Sequence, residues 1–348
     1  MLCSGSCVTR FAYPGFEVTV DHDLAVLTSL LPIATPNNGG QIDFDDLVAA
    51  TARVSRSDPS LRPSPGLTVH NVLRSVLGVN AAKTVQRLLG VRTQSAQLAD
   101  YQEISLSGLA SFVDIWGKTI LEVGSDEGGN VLVALEEMGV KFALGIDVWK
   151  KKDWFRVLSG KLVQAHGDVL SLPYRDSSFD VLLNIATFEH IHNLDTTMRE
   201  MHRLLKPNGI MYAQFGPIWS SAVGHHIWCH LDDRHFRFND PALNPLDDFD
   251  HLVYDRTELA AKLAKTWDDR TVTHLVKAVY DHSHINRTFH HEICDTMRQS
   301  PLEVLHMEKS WDIPVPPELK RRLRDRHGDR SDFSCAGMQI VLRKGNTL

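Results

Sequence analysis

ILEVGSDEGG, residues 120–129, decides how the chain is read. An apolar run ends at Gly124, further glycines stand at 128 and 129, and NVLVALEEM follows with helical character. A strand passing through a glycine turn into a helix is a ligand-binding device: backbone N–H groups and the helix N-terminus together favour an anion such as a phosphate. This turn, however, carries Glu122, Asp126 and Glu127. Two carboxylates about 5 Å from a diphosphate would repel it by roughly a kcal/mol or more per charge pair, even in high dielectric. The guest that suits such a turn is a phosphate-free nucleoside with positive charge at this end.

Outward from the turn, short apolar strands alternate with helical stretches. TILEV (119–123), FALGID (142–147), LVQAH (162–166), FDVLLNI (179–185) and GIMYAQF (209–215) are strand candidates, and three of the gaps between them can hold helices. That alternation predicts an α/β fold with a doubly wound, mostly parallel sheet. In LDTTMREMHRLLKPNG, Met198, Met201, Leu204 and Leu205 share one helical face, and Pro207 to Gly209 stop the helix. The alternation lapses after 215 until LEVLHME (302–308) and CAGMQIVLRK (335–344) add two strands, making seven. Such a gap is too long for a simple loop and reads as a cap inserted at 219–300, with helices in ELAAKLAKTW and VTHLVKAVY. Residues 1–100 read as an N-terminal helical extension, in which ATPNNGG (34–40) and SRSDPSLRPSPG (55–66) are turn-rich and 69–90 has helical spacing. Residues 101–346 form the main domain.

Composition narrows the function. With 348 residues and 43% apolar content, the chain can bury a full core. Its longest apolar stretches, such as VLLNIATF (181–188), fall well short of the roughly 20 residues of a membrane span. MLCSGSCVTR lacks the pattern of a secretory signal, so a cytoplasmic location is expected. Cys3, Cys7, Cys229, Cys294 and Cys335 form an odd set without a CxxC pair, which suggests reduced thiols rather than zinc. A formal charge of −6 and a pI near 6.3 weigh against gripping a phosphate backbone. The basic run LKRRLRDRHGDR (319–330) alternates with acids and reads as a solvated helix face.

In an open α/β sheet, ligands bind beyond the carboxyl ends of the strands. The residues there are Gly124 to Gly128, Asp147, and Gly167 with Asp168. S-adenosylmethionine, with its sulfonium and ammonium groups, is a molecule of the required kind. ILEVGSDEGG, GIDVW, GDVLSLPYRDSSFDVLLNIATFEHI and KPNG, in this order and spacing, resemble the motifs of the class I S-adenosylmethionine-dependent methyltransferases. The likeness is greatest to the type 11-like subgroup that includes the ubiquinone and menaquinone methyltransferases. It covers about 118–216 and, more weakly, 302–344. The resemblance implies a Rossmann-like methyltransferase fold and S-adenosylmethionine as cofactor. It also implies that Glu122, Gly124, Ser125, Asp126 and Gly128 face the amino acid end of the cofactor. Asp147, with Val148, would accept the ribose hydroxyls, and Asp168 the adenine amino group with Val169 stacked nearby; Asn184 would complete the set. A carboxylate is the acceptor pair that two vicinal hydroxyls need. Asp126 departs from the family, which often has glycine there.

Methyl transfer is an in-line displacement, and a hydroxyl acceptor must also lose its proton. Histidine suits that task, and 11 of the 18 histidines fall within 225–306. FGPIWSSAVGHHIWCH leaves the fifth strand with Trp219 and Trp228 for an apolar wall and His225 and His226 near the crevice, while Glu189 and His190 follow the fourth strand. These four are the candidate catalytic residues. His226 with His230, and His282 with His284, have spacings that could serve a metal, but without an HExxH pattern none is expected. No Asn/Asp-Pro-Pro-aromatic motif follows the fourth strand and no Pro-Cys occurs, which argues against a nucleic-acid acceptor. The expected acceptor is a hydroxyl, or an amino group, of a small metabolite or sugar. Two competitors stand beside this reading: a noncatalytic cofactor-binding partner protein, and an NAD(P)-dependent oxidoreductase that the acidic turn disfavours. The sequence gives no indication of oligomeric state.

Overall fold

A computed structural model describes residues 44–57, 98–149 and 154–346. The helical spacing at 69–90, the turn-rich 34–40, and Cys3 and Cys7 lie outside the described residues. Five strands run parallel: β1 (Thr119–Val123), β2 (Phe142–Asp147), β4 (Leu162–His166), β5 (Phe179–Ile185) and β6 (Leu205–Phe215). With β3 (Phe155–Ser159), β9 (Glu303–Asp312) and β10 (Cys335–Arg343) they form one sheet in the order β3-β4-β2-β1-β5-β6-β10-β9. The outer strands β3, β10 and β9 pair antiparallel with their neighbours. The chain order reverses between β1 and β5, which opens the ligand crevice at that point.

Eight strands replace the expected seven because FRVLS, between β2 and β4, forms an edge hairpin where the alternation had left room for a helix. Among the described residues, two gaps between the parallel strands carry α-helices, α3 (Asn130–Glu137) and α4 (Leu194–Leu204). In α4, Leu194, Met198, Met201 and Leu204 make the buried face, and Asn193 caps the start by accepting from the Thr196 N–H. β6 begins at once at Leu205, ahead of the proline expected to stop the helix. Ahead of the sheet, α1 (Phe44–Ser57) sinks Leu47 into the main core, and α2 (Asp100–Phe112) packs Leu106 and Leu109 against Ile120, Tyr212 and Val341.

The cap has a hydrophobic core of its own. Ile227, Phe249, Leu259, Leu275 and Val279 lie in it, drawn from the β7–β8 hairpin region (Trp228–Leu231, Arg234–Arg237), α5 (Asp250–Val253), α6 (Arg256–Leu263) and α7 (Asp269–Tyr280). The latter two helices start upstream of the expected segments because Asp255 and Asp268 cap them. The expected boundary at 300 shifts: α8 (His290–Gln299) turns Ile293, Cys294 and Met297 into the core of the sheet instead. The basic run forms α9 (Pro317–His327), exposed along most of its length as expected, yet Leu323 enters the cap core. Arg326 and His327 bond the Val253 and Leu252 carbonyls at 3.0 and 2.8 Å, satisfying the end of α5. Among the described residues, no helix is long and apolar enough to cross a membrane.

Candidate functional site

The glycine turn is built tightly. Gly124 has φ +83°, and a Cβ there would stand 2.0 Å from Thr187 Oγ1, so no side chain fits. The Gly124 and Ser125 N–H groups both donate to the Ile146 carbonyl at 2.9 Å, joining the turn to β2. The question raised by the acids is answered at Asp126. Its carboxylate accepts from the Gly129 N–H and, at 3.2 Å, from the Asn130 N–H, and its other oxygen accepts from Gln102 of α2 at 3.1 Å. The N-terminus of α3, which a pyrophosphate would seek, already holds the chain's own anion. Asp126 therefore shapes the turn with both oxygens engaged. Ser125 is likewise buried, its hydroxyl accepting from Gln164 at 2.9 Å, and a Cβ on Gly128 would crowd the Asn130 side chain at 2.6 Å. Glu127 is exposed.

Behind the turn, Glu122 is buried in the middle of the sheet and its Oε2 has no partner. Burial pushes its carboxyl up to about 8; a Ser125 hydrogen bond opposes that, and the nearby charges of Asp126 and Asp147 reinforce it. Asp147 ends β2, with Oδ1 accepting from the Trp149 N–H at 2.7 Å and Val148 exposed beside it. Asp168, also exposed, accepts from the Leu170 N–H at 2.9 Å, whereas the Val169 side chain points into the main core. Asn184 pairs with Val123 across β1 and β5 at the crevice. It is fully buried, its Oδ1 accepts from the Phe188 N–H at 3.2 Å, and its Nδ2 has no partner.

Sequence reasoning missed Tyr101, Gln102 and Thr187. Tyr101 of α2 has its phenol raised by burial and then by Asp126, Glu122 and Glu189, so it stands within electrostatic reach of all three carboxylates. Nothing in DYQEISLSGLASF distinguishes this tyrosine from any other on a helix surface.

The candidate catalytic residues divide. Glu189 and His190 lie in the 3₁₀ turn Phe188–His190 after β5. Glu189 Oε1 accepts from the Gly216 N–H at 3.2 Å, Oε2 has no partner, and burial raises the carboxyl to about 8. His226 meets this pair from the cap: its ring is 5.2 Å from that of His190, its Nδ1 has no partner, and burial, then His190, pushes it down to about 3. His225 turns the other way. Fully buried, it accepts from the Ile227 N–H at 3.2 Å and faces His251 with ring centroids 5.4 Å apart; burial holds it well below the ordinary histidine value. Of the adjacent histidines, only His226 reaches Glu189 and His190.

The expected aromatic wall does not form as a pair, since Trp219 is buried against His251 while Trp228 is exposed under Arg237. His230 sits on the β7 strand, so it shares no helical face with His226. The cap is tied to the turn after β5 through residues 283–286. Asn286 Nδ2 donates to the Phe188 and Ile191 carbonyls at 2.7 and 3.0 Å, its N–H donates to the Glu189 carbonyl at 2.8 Å, and the His284 and Ser283 carbonyls bond His190 and His192.

The site therefore joins a doubly wound sheet, acids after successive strands, and a helix N-terminus already held by Asp126. Residues 121–213 match the family model described as a methyltransferase domain. The chain is 29% identical over 96 residues to norajmaline N-methyltransferase of Rauvolfia serpentina, covering 26% of this chain and 33% of that protein. It is 28% identical over 120 residues to fatty-acid O-methyltransferase of Mycolicibacterium smegmatis, covering 34% and 44%. The chain thus spans less than half the length of these curated relatives. A solved S-adenosylmethionine-dependent methyltransferase from Mesorhizobium loti aligns over 68% of this chain and 96% of its own, at 16% identity and a TM-score of 0.40.

Proposed function

We propose that the chain is an S-adenosylmethionine-dependent methyltransferase that methylates a hydroxyl, or an amino group, of a small metabolite or sugar. The observation that carries the donor assignment is Glu122: a buried carboxyl with an unpartnered oxygen, behind a turn whose helix end is filled by Asp126. An unpaired buried acceptor costs about 1–3 kcal/mol, and an ammonium group repays it where a phosphate would add repulsion.

When bound, S-adenosylmethionine supplies an electrophilic methyl group on a sulfonium. Glu122 and the backbone of the Gly124 turn hold the amino acid end, Asp147 accepts the ribose hydroxyls, and Asp168 accepts the adenine amino group. Asn184, with an unpartnered Nδ2 at the crevice, can donate to the donor's carboxylate. Glu189, His190 and His226, which lie together, would face the acceptor. The relatives named above methylate nitrogen in one case and oxygen in the other, so the acceptor reading rests on this chain's cap, whose histidines and buried aromatics suit a compact, polar molecule.

Calorimetric titration with S-adenosylmethionine and NAD(P)H tests the donor. Asp147→Ala should weaken S-adenosylmethionine binding by about 1.5–3 kcal/mol for each charge-assisted hydrogen bond lost. Dinucleotide binding without S-adenosylmethionine binding would overturn the proposal. Incubating cell extract with the enzyme and methyl-labelled donor, followed by mass spectrometry, tests the acceptor; label found only in nucleic acid would overturn that part.

A further inference from the structure

The cluster of Glu189, His190 and His226 has a geometry beyond that of three isolated acid–base groups. One ligand atom from each residue lies within 4.8 Å of the other two. Glu189 Oε2 and His226 Nδ1 are both without partners, on residues only 2% and 6% exposed. His190 completes the set in an oriented state: its Nδ1 is bonded to the His284 carbonyl, which requires Nδ1 to carry the proton and leaves a lone pair on Nε2. A backbone carbonyl that fixes the tautomer and ring orientation is the usual outer support of a metal-ligating histidine. His284 extends that support, with its own Nε2 3.0 Å from the His226 carbonyl.

We propose that Glu189, His190 and His226 bind a divalent first-row transition-metal ion at the junction of sheet and cap. Metal–ligand bonds of about 2.0–2.2 Å would draw the three atoms closer together, through small side-chain rotations. Two imidazoles and one carboxylate are ligands of intermediate softness that suit zinc, cobalt, nickel or iron rather than magnesium or calcium, and three ligands leave coordination positions open. This reverses the sequence expectation of no metal. Spacing along the chain could not show the site, because Glu189 and His190 come from the sheet and His226 from the cap.

The ion's use rests on the methyl-transfer reading; its binding does not. An acceptor hydroxyl entering an open position would lose its proton to solvent more readily. The resulting oxygen would form the new bond to the methyl carbon as the carbon–sulfur bond breaks, with that electron pair leaving on a neutral thioether.

The full chain, stripped with EDTA and dialysed, is titrated with Zn2+ by calorimetry and with Co2+ by visible absorption. One equivalent is expected to bind, with the d–d bands of a four- or five-coordinate site. Glu189→Gln and His226→Gln should each weaken Zn2+ binding by roughly a hundredfold or more, with circular dichroism and thermal melting verifying that they fold. Asp147→Asn should keep full Zn2+ affinity while losing affinity for S-adenosylmethionine. Failure of the wild type to bind Zn2+ stoichiometrically, or unchanged binding in both ligand variants, overturns the metal site. S-adenosylmethionine binding without Zn2+ binding would leave the donor reading standing and remove only the metal. Zn2+ binding without S-adenosylmethionine binding would do the reverse.

Discussion

Glu122 links stability to ligand binding in a single side chain. Its folded-state pKa of about 8 lies above the ordinary 4.5, so the folded protein holds a proton that the unfolded chain has released. Stability must then fall as pH rises from about 4.5 to 8, by at most about 1.4 kcal/mol per unit, and level off above that. Glu122→Gln should therefore unfold at a higher temperature than wild type at pH 8 and at about the same temperature at pH 4, measured by calorimetric melting. Donor binding should move oppositely. Affinity for the cationic cofactor should rise with pH toward 8 in the wild type, with proton release visible as a buffer-dependent binding enthalpy, and should be weak and nearly pH-independent in the variant. At this scale, the placement of Gly124, Asp147 and Asp168 was legible, because all three stand at or just past strand ends. The bonds of Asp126 were not, because a carboxylate in a turn can bond a ligand or its own helix, and those to Gly129 and Asn130 depend on the three-dimensional path of 126–130. The meeting of Glu189 with His226 was out of reach, since it depends on how the cap folds back.

Among the elements, α3 shows what the acidic turn does. Asp126 accepts from the Gly129 and Asn130 N–H groups and so takes the part of a helix-capping residue. Asp126→Ala should cost about 1 kcal/mol of stability, while cofactor affinity stays within a few-fold of wild type, as followed by thermal melting and titration. A collapse of cofactor binding at unchanged stability would return Asp126 to the ligand. The parallel strands were found from sequence because burial on both faces makes them almost continuously apolar. The edge strand β3 was not: FRVLS is only partly buried, so it shows neither a long apolar run nor clean alternation. In the sequence, residues 290–299 read as part of the cap for a related reason: an amphipathic helix does not declare which of two cores receives its apolar face.

On the scale of the whole molecule, the cap has its own apolar core, and the proposed donor site lies at strand ends of the sheet, whose core is separate. Leu275, fully buried in α7, belongs only to the former. Leu275→Ala should destabilise by about 2–5 kcal/mol and lower turnover with any acceptor, yet change cofactor affinity less than twofold when both are measured below the melting temperature. Equal loss of donor affinity would show that the two cores act as one. The bonds of Asn286, His284 and Ser283 to the 188–192 turn bear on how a substrate enters. Swinging the cap off the sheet as a door would sever all of them together and expose polar groups now satisfied. The 283–286 segment and the 188–192 turn are thus riveted into one piece, and any opening that admits a substrate should leave this seam shut.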